Sequence, residues 1–263
     1  MTALSGRVLL TGASGGLGHA IARTLAPLAS ELVLTSRRSE VLGPLAAELG
    51  ARVIVSDLAL RGDVERLIQE AGPLDVLIAN AGVSASGRLD ELSQEEVDRM
   101  LEINLRAPIA LARAFAPGMV ARRRGHIVFM SSLQGKAATP AAPTYAATKF
   151  GLRGFALGLR QDLRPHGVGV SVVLPGFIRD AGLFADSGAK LPPGIGTRSP
   201  QDVADAVRAA IEGNRAEIDV APVGLRLGTA VASLAPAFAA AVSRRFGSER
   251  IAARIVAGQR ENQ

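Results

Sequence analysis

The fold of this chain is decided by one glycine-rich stretch, Thr11-Gly12-Ala13-Ser14-Gly15-Gly16-Leu17-Gly18. An apolar run over residues 7–11 precedes it, and a segment with helical periodicity over residues 16–29 follows it. Glycines allow a tight turn and a close approach of the backbone to a ligand, and the start of a helix offers free amides to an anion. The stretch therefore predicts a strand, a phosphate-binding turn and a helix; a tight turn without a ligand is the alternative.

Short apolar strands alternate with helical segments along the rest of the chain. The predicted strands cover residues 7–11, 32–35, 52–56, 74–79, 126–130, 168–174 and 217–220. This alternation favours an α/β fold: a Rossmann-like, doubly wound parallel sheet of about seven strands with helices on both faces. No linker or repeat divides it, so residues 1–222 are expected to form one Rossmann-type catalytic domain, with residues 223–263 as a C-terminal helical extension packed on it.

The composition opposes several classes of protein and site. The chain has no cysteine, which excludes disulfides and thiolate zinc sites and favours a cytoplasmic protein. Its net charge is +6, but the basic residues are scattered and only 3% of residues are aromatic, which opposes a nucleic-acid binder. Residues 1–7 lack the apolar segment of a signal peptide. His19, His126 and His166 lack metal-ligand spacing, so we expect surface or helix-end roles for them and no metal.

Polar or glycine-rich features follow six of the predicted strands. They are Gly12, Arg37, Asp57, Asn80, Ser132 and Pro175. In a doubly wound sheet, ligands bind beyond the carboxyl ends of the strands, and all six features fall at that edge. Packing alone does not explain their convergence, so the sequence predicts a ligand site there.

Tyr145 and Lys149 are candidates for acid–base chemistry. Tyr145 is the only tyrosine in the chain, and Lys149, one of three lysines, follows four residues later on the same face of a predicted helix. A nearby cation favours a phenolate and lowers the pKa of a tyrosine, and Ser132 is a candidate to hydrogen-bond a substrate oxygen. A packed ring with a neighbouring lysine, and a serine in a turn, are the alternatives for each feature taken alone.

These motifs together resemble the short-chain dehydrogenase/reductase family over residues 6–177, about two thirds of the chain. They occur in the family's order: T-G-x-x-x-G-x-G at Thr11–Gly18, Asn80-Ala81-Gly82, Asn104, Ser132, Tyr145-Ala146-Ala147-Thr148-Lys149 and Pro175-Gly176. The resemblance implies Tyr145 as the general acid/base, Lys149 as its pKa-lowering neighbour and ribose contact, and Ser132 as the partner of the substrate oxygen. It implies Asn104 as the holder of a water for proton relay. Ser131 is the alternative to Ser132, and the spacing to Tyr145 disfavours it.

The resemblance also implies a nicotinamide dinucleotide. Ser36 stands where NAD enzymes of the family carry Asp, and Arg37 and Arg38 follow, which favours NADP(H) over NAD(H) because an Arg fork matches the 2′-phosphate. Ordinary surface arginines are the alternative. The expected cofactor contacts are Gly12, Ser14, Gly15, Gly16, Leu17, Gly18, Ser36, Arg37, Arg38, Asp57, Leu58, Asn80, Ala81, Gly82, Tyr145, Lys149, Pro175, Gly176, Phe177 and Ile178.

Two segments depart from the family's pattern. Asp180 stands where the family commonly has a Thr near the cofactor, which puts that contact in doubt, and residues 181–198 are predicted to form a substrate lid, with a loop of no function as the alternative. Residues 227–242 are apolar but interrupted by Pro236, too short to span a membrane. Packing on the domain is the favoured interpretation of the extension; a membrane surface and a subunit interface are the alternatives.

The predicted function is hydride transfer between NADP(H) and a small-molecule carbonyl/alcohol pair. A ketone or aldehyde reductase with an apolar substrate is favoured. The resemblance implies a homodimer or homotetramer through the helices that hold Asn104 and Tyr145. A non-catalytic NADP-binding regulatory or scaffolding protein is the main alternative, and the intact Ser132, Tyr145 and Lys149 argue against it.

Overall fold

Seven parallel strands form one sheet in the computed structural model of the chain, which describes residues 3–85, 87–188, 191, 195–245 and 256. The strands are β1 (Arg7–Thr11), β2 (Glu31–Ser36), β3 (Arg52–Val55), β4 (Val76–Ala79), β5 (Gly125–Met130), β6 (Val168–Pro175) and β7 (Glu217–Val220). Their order across the sheet is β3-β2-β1-β4-β5-β6-β7, so the chain starts in the middle and winds outward in both directions. The fold class expected from the sequence is confirmed, including the short seventh strand.

Helices cover both faces of this sheet. They are α1 (Gly16–Leu25), α2 (Ser39–Leu49), α3 (Arg61–Ala71), α4 (Gln94–Leu101), α5 (Ala107–Ala121), α6 (Pro143–Leu163), α7 (Gly182–Asp186), α8 (Pro200–Glu212), α9 (Val223–Leu234) and α10 (Pro236–Arg245). Successive strand residues point to opposite faces, so Val8 and Leu10 pack with α1, α2 and α8, whereas Leu9 packs with α3, α5 and α6. Burial on both faces explains why the strands are continuous apolar runs.

Two helix boundaries and one histidine differ from the sequence-based expectation. The helix expected over residues 16–29 ends at Leu25 and continues as a 3-10 turn, Ala26–Leu28, because Pro27 has no amide to donate. The capping pattern at Ser93 and Glu96 also predicts one helix that runs toward Ala121 with a bend near Pro108 and Pro117. In the structure a π-helix at Glu102–Arg106 interrupts it, and α5 continues through Pro117. His126 is buried in β5, not at the surface; its Nε2 lies 2.8 Å from the Ser171 hydroxyl, and burial lowers its pKa to about 4.

The C-terminal helices α9 and α10 lie beyond β7. Leu225 of α9 packs against the core cluster, and the Ser233 hydroxyl donates a 3.0 Å hydrogen bond to the Lys136 carbonyl. No residue of α9 is fully buried, because its opposite side faces solvent. In the part of the chain that the structure describes, no helix combines the length and the apolar character needed to cross a membrane.

Candidate active site

An elongated cavity of about 500 Å³ runs along the carboxyl edge of the sheet. It extends from the end of β2 and the glycine loop, past the end of β4, to the start of α6 and the segment after β6. Every expected cofactor contact lines it, as do Ser132, Tyr145 and Lys149. The exception among the expected site residues is Asn104, which lies behind the cavity wall. The features that follow six different strands in the sequence therefore meet around one space.

The glycine loop between β1 and α1 has little room for side chains. Gly12 has φ +66°, a conformation that favours glycine, and a Cβ on Gly18 would lie 2.3 Å from the Gly12 carbonyl oxygen. The Asn80 amide donates to the Thr11 and Gly12 carbonyls at 3.0 and 3.2 Å, which ties the loop to the end of β4. The loop is thus held with its helix amides at the cavity.

We expect Gly18→Ala to displace this loop. The added Cβ would also meet Ala13 Cα at 2.7 Å, and backbone atoms cannot move aside as a flexible side chain can. Overpacking of this kind lowers the free energy of unfolding by about 1–3 kcal/mol, and we expect the affinity for NADPH to fall at least tenfold. Thermal unfolding and fluorescence titration measure the two effects.

Gly43→Ala is the matched control, because Gly43 is exposed in α2 and no atom lies within 4 Å of its added Cβ. It should leave NADPH affinity unchanged and shift stability by no more than about 1 kcal/mol. Equal behaviour of the two variants would show that the close packing at Gly18 is unimportant.

Two arginines lie at the adenosine end of the cavity, and they have different partners. Arg38 reaches back to the glycine loop: its Nη2 donates to the carbonyl and the hydroxyl of Ser14 at 2.9 and 3.1 Å. The Arg37 guanidinium lies 4.0 Å from the Asp57 carboxylate, and the Ser36 hydroxyl accepts from the Arg38 amide at 2.9 Å. Both guanidinium groups are exposed to solvent, so either can meet an anion without burying an unpaired charge.

Ser131 and Ser132 follow β5 and have different contacts. The Ser131 hydroxyl is buried and donates to the Lys149 carbonyl at 2.9 Å, which fastens the strand end to α6. The Ser132 hydroxyl accepts from the Gln134 amide at 3.1 Å and donates to the Pro175 carbonyl at 3.4 Å. Of the two serines, only Ser132 affects the pKa of Tyr145, which it lowers, and its role toward a substrate oxygen stays a prediction.

Tyr145 and Lys149 are both buried in the wall of the cavity. Burial raises the pKa of Tyr145 to about 12, and the hydrogen bond with Ser132 opposes this shift. Burial lowers the pKa of Lys149 to about 8. The sequence led us to expect a lowered tyrosine pKa; instead the Lys149 ammonium donates to the Met130 carbonyl at 3.0 Å and lies 5.5 Å from the centre of the Tyr145 ring. In this arrangement desolvation, not the cation, has the largest effect on the phenol.

Asn104 supports the turn after β4. It is completely buried in the π-helix, where its Nδ2 donates to the Val83 carbonyl and its Oδ1 accepts from the Val83 amide, both at 2.8 Å. Its Nδ2 also lies 3.3 Å from the Thr148 hydroxyl, which links it to α6. π-Helical turns inside α-helices occur frequently at functional sites. The water-holding role implied by the resemblance stays a prediction.

An ion cluster behind the Ser132 loop connects that loop to the end of the sheet. Lys136 lies 2.7 Å from the Asp219 carboxylate and 3.5 Å from that of Glu217, and Arg153 of α6 also binds Glu217. Lys136 and Asp219 are only 14% and 16% exposed. Because Arg153 follows Lys149 by one helical turn, the cluster ties the loop to the helix that presents the tyrosine and lysine.

Several residues of the cavity wall escaped the sequence analysis. They are Val83, Ser84, Gln134, Thr139, Phe184, Asp186, Leu225 and Thr229, among others. Leu225 and Thr229 are four residues apart on α9, and this spacing in the sequence predicts that they lie on the same face of the helix. Phe184 packs edge-on against Phe177 with ring centres 5.0 Å apart, which closes the end of the cavity beside the segment after β6.

Asp180 does not approach the phosphate loop. Its carboxylate is 73% exposed, pairs with Arg179 at 3.4 Å and is absent from the cavity wall. Its backbone has φ +66°, which turns the chain so that the next residue, Ala181, meets the glycine loop instead. Of the expected lid, residues 182–186 form the short helix α7, and residues 189, 190 and 192–194 lie outside the described residues.

The arrangement fits a dinucleotide. The start of α1 points free amides at the cavity beside Gly15, where an added Cβ would find open space apart from one carbonyl oxygen at 3.7 Å. Cationic side chains lie at one end of the cavity and the Ser132–Tyr145 pair at the other. Among the described residues, no group of three or more His, Asp or Glu side chains is placed to hold a metal ion.

Comparisons with known proteins agree with this geometry. The family model described as short chain dehydrogenase matches residues 7–191. A ketoacyl reductase, HetN, from Nostoc sp. is 37% identical over 230 residues, which are 84% of this chain and 80% of that protein. A metagenomic short-chain oxidoreductase in complex with NADP is 35% identical with a TM-score of 0.69, covering 84% of this chain and 99% of that one. A short-chain dehydrogenase from Sphingobium yanoikuyae in complex with NADPH is 30% identical with a TM-score of 0.74, covering 81% and 87%.

Proposed function

Since this chain belongs to the short-chain dehydrogenase/reductase family, we propose that it reduces an apolar ketone or aldehyde with NADPH. The family establishes an oxidoreductase that acts on a carbonyl or CH–OH group and binds a nicotinamide cofactor. The observation that supports the specific proposal is the cavity itself, with two arginines at one end and Ser132, Tyr145 and Lys149 at the other.

In this mechanism the protein supplies the proton and the electrostatic stabilisation. Bound NADPH supplies the hydride for the carbonyl carbon. The Ser132 hydroxyl donates a hydrogen bond to the substrate oxygen, and the Tyr145 hydroxyl gives its proton to that oxygen as negative charge develops there. The high pKa of Tyr145 keeps the phenol protonated at neutral pH, as an acid requires. Lys149 then stabilises the phenolate until solvent returns the proton.

NADPH is favoured over NADH by the charge at the end of β2. The last residue of this strand is Ser36, not a carboxylate, and both Arg37 and Arg38 line the cavity there. The two structures described above hold NADP and NADPH, which supports the same choice. Arg38 is the stronger candidate for the 2′-phosphate because Arg37 is partly neutralised by Asp57.

Arg38→Ser is expected to weaken NADPH binding by about ten- to a hundredfold. A hydrogen bond to a charged group contributes about 1.5–3 kcal/mol, and this variant removes both the bond and the charge. NADH affinity should change less than threefold, because NADH has no 2′-phosphate. Arg208→Ser is the control: Arg208 is exposed on α8, outside the cavity wall, and its removal changes the net charge equally. An equal loss of affinity for NADPH and for NADH in Arg38→Ser would contradict the assignment of Arg38 to the 2′-phosphate.

An apolar substrate is favoured by the walls around the reacting end. Phe177, Phe184, Leu225 and Val83 lie there, and we propose that the extension from residue 223 onward roofs the substrate pocket through Leu225 and Thr229. The test is oxidation of NADPH with a panel of ketones and aldehydes of increasing chain length, including 3-oxoacyl thioesters because one relative is named a ketoacyl reductase. KM should fall as the apolar chain lengthens. NADPH binding without turnover on any of them would favour the non-catalytic alternative.

We further propose a homodimer or homotetramer through the helices around Asn104 and Tyr145. Leu101 of α4 and Phe150 of α6 are 39% and 41% exposed. Apolar side chains of this size on neighbouring helices are typical of a subunit interface.

A further inference from the structure

The helical pair α9–α10 exposes an apolar outer face. We define this outer face by six side chains, which are Val223, Leu227, Val231, Leu234, Phe238 and Val242. Leu234 is 88% exposed and Leu227 63%, values unusual for leucine. The α9 members follow one another at intervals of three or four residues, so they lie on one side of the helix. Leu225 and Thr229, which line the cavity, lie on the opposite side.

The charged residues of the extension are mostly basic, and those of α9 and α10 are all arginines. No Asp or Glu occurs between Asp219 and Glu249, and the charged residues in that interval are Arg226, Arg244 and Arg245. Residues 223–263 contain six Arg and two Glu, so they have a net charge of +4, most of the +6 of the whole chain. An exposed apolar face in a segment with a net positive charge is complementary to an anionic lipid surface.

We propose that the outer face docks on an anionic membrane surface without crossing it. The described helices are too short or too polar to span a bilayer. A second copy of the chain would bring a second set of arginines against the first, because a two-fold interface pairs a surface with itself. A lipid surface instead offers the opposite charge together with an apolar layer for the leucine, valine and phenylalanine side chains.

Docking in this way would place the substrate cavity next to the lipid surface. α9 has Leu225 and Thr229 in the cavity wall and part of the outer face on its other side, so it would lie between the cavity and the lipid. The proposal depends only on the outer face and the charge, and it does not require the proposed catalytic function to be correct.

The test is sedimentation of the full chain with vesicles, measured without substrate. Vesicles of phosphatidylcholine mixed with phosphatidylglycerol are compared with vesicles of phosphatidylcholine alone, at low and high salt. The double variant Leu227→Glu/Phe238→Glu changes the outer face. The double variant Leu60→Glu/Leu89→Glu is the matched control, because Leu60 and Leu89 are 58% and 65% exposed on the Rossmann domain and the charge change is the same.

The wild-type chain and the control variant should bind the anionic vesicles, with salt weakening the binding, and the outer-face variant should bind at least about tenfold less. Circular dichroism checks that the variants fold; Leu227→Ser/Phe238→Ser replaces the glutamate pair if that pair does not. Absence of wild-type binding, or equal binding by the outer-face variant, would overturn the proposal. So would light scattering that shows a smaller oligomer for the outer-face variant alone, since the face would then bind a second copy.

Discussion

Tyr145→Phe is expected to lower kcat by about a thousandfold while leaving the fold and NADPH binding intact, because general acid catalysis typically contributes 10²- to 10⁴-fold. The variant removes only the hydroxyl. The aromatic ring stays, so the packing of a residue that is 8% exposed is preserved. The effect should appear in kcat and kcat/KM equally, since the proton is transferred in the transition state.

Steady-state kinetics with the best ketone of the panel measures this loss, and fluorescence titration measures the NADPH affinity of the same sample. The affinity should stay within about threefold of wild type, because the phenol hydroxyl contributes little to ground-state binding. A kcat within tenfold of wild type would show that another group donates the proton. Ser132 is then the candidate, because its hydroxyl also lines the cavity where we propose that the substrate oxygen binds.

Much of the fold and of the site could be predicted from the sequence because backbone constraints fix both. Glycine at Gly12 and Gly18 is needed for a positive φ and for close packing, and no other residue type would leave the same pattern. Strands buried on both faces are continuous apolar runs, and the chemistry at their carboxyl ends follows from parallel topology. The glycine spacing and the apolar runs can be read from short segments of sequence, without knowledge of the contacts between distant segments.

The rest depends on contacts between segments that are distant in sequence. Spacing placed Lys149 near Tyr145, but the 3.0 Å bond from its ammonium to the Met130 carbonyl depends on how α6 packs against β5. Arg37 and Arg38 are adjacent in sequence, and only the fold shows that one faces Asp57 and the other Ser14. The π-helix at Glu102–Arg106 has no sequence signature that we recognised, and the hydrogen bond from its Asn104 to the Val83 carbonyl joins residues 21 positions apart.

Lys149→Met is expected to have opposite effects on activity and on stability. Lys149 is 3% exposed, and its ammonium donates a hydrogen bond to the Met130 carbonyl. Loss of the cation removes the stabilisation of the Tyr145 phenolate, so kcat should fall about a hundredfold or more. Methionine fills a similar volume and has no charge to desolvate. The variant should therefore remain folded, and its free energy of unfolding at neutral pH should be higher than that of the wild type.

The pH dependence of stability distinguishes this variant from any ordinary loss of function. Burial lowers the pKa of Lys149 from 10.5 to about 8 in the folded protein, so between these values the unfolded chain binds more protons than the folded one. Stability therefore rises with pH through that window, by about 1 kcal/mol between pH 7 and pH 9, and the full cost of the buried charge is present below pH 8. Titration of Tyr145 changes the stability only above pH 10, because its pKa is raised from 10.0 to about 12.

We expect denaturant unfolding of the wild type to show this rise and Lys149→Met to lose it. Lys136→Met is the matched control, because Lys136 lies 2.7 Å from the Asp219 carboxylate and its removal leaves that largely buried charge without its lysine. The control should be less stable by about 3 kcal/mol, as expected when one partner of a buried pair is removed, and it should keep the rise with pH. A wild type whose stability is flat over this range, or a Lys149→Met variant that retains the rise, would mean that Lys149 is not the group whose buried charge limits stability. Burial of the Lys149 ammonium would then cause no measurable decrease in the free energy of unfolding.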